Sequence, residues 1–106
     1  MKITVDDVLD AIAEKILSTD EKKRATPMEL IDEVCREKYG LHDQEEIELN
    51  VEYDGWNVYF TLLDLMREKS EEYGYTMRKA PLPEDMNWGM PYVFEYIFTP
   101  IKKDSK

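Results

Sequence analysis

The sequence predicts an α+β domain: three helices, a C-terminal antiparallel β-hairpin and one additional acidic strand. Three observations carry that expectation. Two early segments repeat apolar residues at helical spacing behind N-capping residues. Residues 46–53 switch to strict alternation, and the last third holds a run of alternating aromatic residues ahead of a proline.

Residues 4–18 form the first helix. Val5, Val8, Leu9, Ile12, Ile16 and Leu17 recur at i, i+3 and i+4 and mark one buried face. Thr4 can cap, with Asp7 three residues on as a weak version of the capping box, which normally carries Glu or Gln there. Asp6 and Asp7 also suit the positive end of the helix dipole. Ser18-Thr19-Asp20 loses the period, and Glu21-Lys22-Lys23-Arg24 reads as an exposed, charged connector. The second helix, 27–39, has the fullest set of signals. Thr26 is the N-cap, Pro27 takes the first helical position, and Glu29 takes the third. Leu30, Ile31, Val34, Cys35 and Tyr39 form the apolar stripe, and Gly40 suits a left-handed C-terminal residue. A short polar link leads us to expect these helices to pack against each other.

Residues 46–53 read as a half-buried strand, joining the hairpin sheet or lying at its edge. Ile47, Leu49, Val51 and Tyr53 would face inward, and Glu46, Glu48, Asn50 and Glu52 outward. Asp54-Gly55 then admits two readings. It suits a hairpin turn with Trp56, Val58 and Phe60 on a return strand. It equally suits a helix capped by Asp54, with Trp56, Tyr59, Phe60, Leu63 and Met66 on one face. The helix is favoured, because the pattern from Leu62 to Tyr73 is helical and one element then explains both halves. Gly74 ends it, residues 75–79 form a strand, and residues 80–91 form a proline-containing loop. Tyr92 to Thr99 is the last strand, stopped by Pro100. Residues 1–101 make one domain and 102–106 a frayed charged tail. In element order, with helices ahead of a hairpin wing, most of the chain resembles a winged helix. That resemblance implies a transcriptional regulator with a basic recognition face. The third helix offers only Arg67 and Lys69 against Asp64, Glu68, Glu71 and Glu72.

A chain of 106 residues fits a single domain, and its 42% hydrophobic content supplies a core. The net charge of −10 opposes binding to nucleic-acid phosphates and suits a basic protein partner. Cys35 is the only cysteine, so no internal disulfide forms and a reducing compartment fits. No apolar run resembles a signal peptide or reaches the ~18 residues of a membrane span. A cytoplasmic protein without membrane attachment is expected.

The charge is unevenly distributed. From Tyr39 to Met66 there is no Lys or Arg, while Asp43, Glu45, Glu46, Glu48, Glu52, Asp54 and Asp64 contribute −7 of the net −10. On a strand, same-face residues stand about 6.6 Å apart. Glu46, Glu48 and Glu52 would then form a line of negative charge, as duplex DNA does. The working expectation is a non-enzymatic, protein-binding domain. In its sharper form it is an inhibitor or nucleic-acid mimic presenting carboxylates to the basic groove of a nucleic-acid-handling protein. The plainer alternative is a solvated strand face whose charges deter unwanted pairing. Trp88, in the 80–91 loop, is either an exposed partner anchor or a lid folded back on the core. The candidate partner-binding set is therefore Asp43, Glu45, Glu46, Glu48, Glu52, Asp54 and Trp88.

Catalytic chemistry finds no constellation. Asp43 to Asp54 lacks the calcium-loop pattern, and Cys35 and His42 make no metal or nucleophile spacing. The four glycines are isolated, so no phosphate-cradling loop exists. No metal, cofactor or catalytic residue is expected, and no direct nucleic acid; a homodimer is compatible. A winged-helix-like regulator and a small enzyme are the alternatives.

Overall fold

In the computed structural model, residues 2–19, 21–81 and 91–101 are described. Strand β1 (Ile3–Thr4) runs directly into α1 (Val5–Leu17), because Thr4 serves both. Its backbone is extended, and its hydroxyl accepts the Asp7 N–H while the Asp7 carboxylate accepts the Thr4 N–H. Strand β2 (Lys23–Ala25) leads into α2 (Pro27–Tyr39), capped by the Thr26–Glu29 box and closed by Gly40 at φ 70°. Helix α3 (Gln44–Asn50) passes straight into β3 (Val51–Glu52). Helix α4 (Val58–Tyr73) ends at Gly74, φ 98°, and β4 (Tyr75–Lys79) follows. A 3₁₀ turn at Pro91–Val93 precedes β5 (Tyr96–Pro100). The fold is α+β, with four α-helices among the described residues where the sequence predicts three.

Strand β5 is central in an antiparallel sheet of order β2-β5-β4. Phe98 and Tyr96 on β5 and Tyr75 on β4 turn inward, where α1, α2 and α4 supply Ile12, Ile16, Leu30, Ile31, Leu62, Leu63 and Met66. Fully burying a side chain of this size stabilises the fold by roughly 1.5–3 kcal/mol. This sheet, with α1 ahead of β2 and with α2 and α4 between β2 and β4, keeps the winged-helix-like element order. Elements α3 and β3 are inserted between α2 and α4. Among the described residues, no helix is long and apolar enough to cross a membrane.

Four expectations are corrected. Residues 46–53 are not a strand joining the hairpin sheet. Most of the segment is α3, and only Val51 and Glu52 are extended, pairing in parallel with Ile3 and Thr4. The Asp43 side chain accepts the Glu46 N–H at 3.0 Å and starts the helix. Ile47 and Val51 are spaced by one helical turn as well as by alternation, and both are buried, whereas Leu49 is 79% exposed. The connector at 21–24 is also wrong in part: Lys23–Ala25 is the third strand of the main sheet. Three residues are too few to show alternation, and their charges are typical of an edge. Third, the cap of α4 is Asn57, whose side-chain oxygen accepts from Tyr59 and Phe60, and not Asp54. Finally, the last strand begins at Tyr96, because Tyr92 is drawn out of line to stack on Tyr59. Pro100 is its final residue, paired with Tyr75. Residues 82–90 and the proposed tail at 102–106 lie outside the described residues.

Candidate functional site

Pairing of β1 with β3 sets Glu52 beside Thr4, and so brings the start of α1 next to the chain leaving β3. The turn Tyr53-Asp54-Gly55-Trp56 then leads to α4, whose Thr61, Asp64 and Leu65 share one face at i, i+3 and i+4. Between these segments lies a solvent-open groove of about 650 Å³, lined by Val5, Glu52, Tyr53, Asp54, Thr61, Asp64 and Leu65. Val5, Tyr53 and Leu65 are half-buried against the core and supply its apolar surface. Glu52, Asp54 and Asp64 are exposed on it.

Lys2 pairs with Glu52 at 3.1 Å, but both groups are solvated, so the pair contributes little. Asp54 and Asp64 have no ion-pair partner among the described residues. The basic residues of α4 are committed elsewhere. Lys69 lies 3.8 Å from Asp6, and Arg67 sits over the Tyr96 ring and donates to its hydroxyl. Two further arginines lie on the sheet, where Arg24 and Arg78 flank Ile97 in register. Arg24 is paired with Glu95 at 2.7 Å.

The turn also exposes an aromatic pile. Trp56 is 74% exposed and rests on Phe60, with ring centroids 5.3 Å apart. Phe60 meets Tyr92 edge-on at 5.4 Å, and Tyr92 stacks on Tyr59 at 5.3 Å. Tyr59 is buried, and its hydroxyl donates to the Asp32 carboxylate at 2.6 Å. Burial first, and then this bond to Asp32, hold the Tyr59 phenol well above its usual range. It is a fixed proton donor in a structural bond. Burial likewise pushes the Cys35 thiol up to about 11, which removes the thiolate a nucleophile needs.

The sequence-derived set is only partly brought together. Asp43 is the cap of α3. Glu46 accepts the backbone N–H of His42, and Glu48 accepts from Gln44 at 2.9 Å, while Glu45 is exposed on the first turn. These four carboxylates surround a helix of seven residues and do not form a strand-spaced row. Glu52 and Asp54 do reach the groove, joined by Asp64. Trp88 lies outside the described residues. The residues missing from the set are Asp64, Trp56 and the apolar lining. The signal that could have found them is Gly55-Trp56-Asn57, in which an Asn cap leaves the preceding Trp outside the helix. Among the described residues, no group of three or more His, Cys, Asp or Glu side chains converges as metal ligands would. Comparison with known proteins gives no match to any protein-family model, curated protein or solved structure.

Proposed function

We propose that this chain is a non-enzymatic binding domain that takes a basic segment of a protein partner into the groove between β3 and α4. The observation that carries this reading is the groove itself: three exposed carboxylates over an apolar surface, with one weak internal cation at its edge. An open groove suits an extended chain segment better than a small molecule, which needs most of its surface enclosed. Lysine or arginine side chains would meet Glu52, Asp54 and Asp64 while their methylene stems cover Val5, Tyr53 and Leu65. A nucleic-acid-handling protein is one such partner, since its basic groove already accepts regular negative charge. The inhibitor reading thus moves from a strand-borne row to the carboxylates of the groove. The element order favours a nucleic-acid-reading regulator instead, but α4 exposes Asp64, Glu68, Glu71 and Glu72 where that role needs cations.

A labelled oligolysine peptide, titrated from about 50 to about 300 mM salt, tests the proposal, because screening weakens exposed charge contacts. Binding should fall with salt, and Asp54→Asn and Asp64→Asn should each weaken it by about two- to fivefold at low salt. Salt-insensitive binding that neither variant alters would remove the proposal, as would preferential binding of duplex DNA.

A further inference from the structure

We propose that the exposed face of Trp56 is an arginine-recognition site, so that the groove prefers arginine-bearing segments to lysine-bearing ones. The inference rests on the acidic-groove reading and adds the identity of the cation. Its starting point is an imbalance. Trp56 is 74% exposed and so buries little of a ring that would otherwise contribute strongly to the core. Leu49, 79% exposed, is a second large apolar side chain on the surface. Trp56 is different because it is braced. The pile Trp56–Phe60–Tyr92–Tyr59 runs from solvent to a buried ring fixed by Asp32. Its backbone is held too. Asn57 caps α4 directly after it, and Gly55 directly before it packs against Thr61.

The occupant follows from charge complementarity. Asp54 is two residues from Trp56 in the chain and Asp64 is one helical turn beyond Phe60, and both line the groove, so the turn that carries the indole also carries part of the groove's negative charge. A segment drawn to those carboxylates brings a cation to the turn that bears the indole. Arginine suits this pairing better than lysine. Its planar guanidinium stacks on an aromatic face while its edge donates to a carboxylate, and it gives up its hydration more readily than an ammonium. Tryptophan is also the strongest of the aromatic partners for a cation. The same chemistry occurs twice within the fold, with Arg67 over Tyr96 at 5.6 Å and Lys79 over Phe94 at 4.4 Å. Among the described residues, no cation lies over Trp56.

The test compares three fluorescent peptides on the same Gly/Ser framework, carrying arginines, lysines or neutral citrullines, against the full chain at low salt. The arginine peptide should bind about three- to fivefold more tightly than the lysine peptide, and the citrulline peptide should not bind measurably. Trp56→Leu should narrow the gap between the two charged peptides to less than about twofold, and Trp56→Tyr should restore part of it. Circular dichroism of each variant confirms its fold. Equal binding of the arginine and lysine peptides by the wild type, or a gap that survives Trp56→Leu, would overturn the inference. If Asp54→Asn and Asp64→Asn still weakened both peptides in that case, the acidic groove would stand without its arginine preference. Failure of both charged peptides to bind would overturn the inference and the groove reading together.

Discussion

Replacing Gly55 by alanine probes the turn that joins the groove to the aromatic pile. Gly55 has φ 148°, a conformation that L residues rarely adopt, and a Cβ built on it would lie 2.6 Å from the Thr61 hydroxyl oxygen. Two penalties therefore combine. The backbone conformation costs an alanine about 1–3 kcal/mol. The overlap with Thr61 adds about 1–3 kcal/mol, because relieving it requires the Thr61 hydroxyl to leave its rotamer or the turn to shift. Gly55→Ala should thus lower stability by about 2–6 kcal/mol, a large part of the 5–15 kcal/mol typical of a domain. Urea unfolding monitored by circular dichroism measures it. A double-mutant cycle separates the two terms. Removing the hydroxyl in Thr61→Ala leaves only the Thr61 Cβ, 4.0 Å from the new methyl group, so Gly55→Ala should be milder in that background. A Gly55→Ala variant within about 0.5 kcal/mol of wild type, or a cycle without coupling, would refute the tight contact between turn and helix.

Two further outcomes follow from buried groups. Burial raises the Cys35 thiol to about 11 and holds the Tyr59 and Tyr75 phenols above their ordinary range. Each therefore keeps its proton in the native state at a pH where the unfolded chain has lost it. Stability is unaffected below about pH 8, and then falls as pH rises through about 9 for the thiol and about 10 for the phenols. Each such group contributes a slope of up to about 1.4 kcal/mol per pH unit, so a stability profile flat to about pH 11 would contradict the burial. The Tyr75 hydroxyl is buried without a hydrogen-bond partner among the described residues. Tyr75→Phe should consequently be neutral or stabilising by up to about 1–2 kcal/mol, and a loss above about 1 kcal/mol would reveal a bond to that hydroxyl.

Helix α2 was readable from sequence because its signals agree: Thr26, Pro27, Glu29 and Gly40 each occupy the position their chemistry favours. Helix α1 and the pairing of β4 with β5 were readable for the same reason. Residues 46–53 misled because Ile47 and Val51 satisfy both periods, and the deciding facts are tertiary. Val51 meets Ile3 across the chain, and Leu49 has nothing to pack against. β2 was invisible because a three-residue edge strand takes its stability from a partner over seventy residues away, through pairs such as Ala25 with Tyr96. The acidic segment stands out by composition, yet only Glu52 and Asp54 of the expected set reach the groove. Asp64 joins them because helix α4 turns it toward β3, a placement that counting charges along the chain does not convey.

Backbone amide shifts recorded during titration with an arginine-containing peptide locate the contact surface residue by residue. A groove between β3 and α4 should answer through Glu52 to Asn57, Thr61, Asp64 and Leu65, with Trp56 among the largest changes. Shifts confined to α2 or to the β2-β5-β4 sheet, or no shifts at all, would contradict a binding site there.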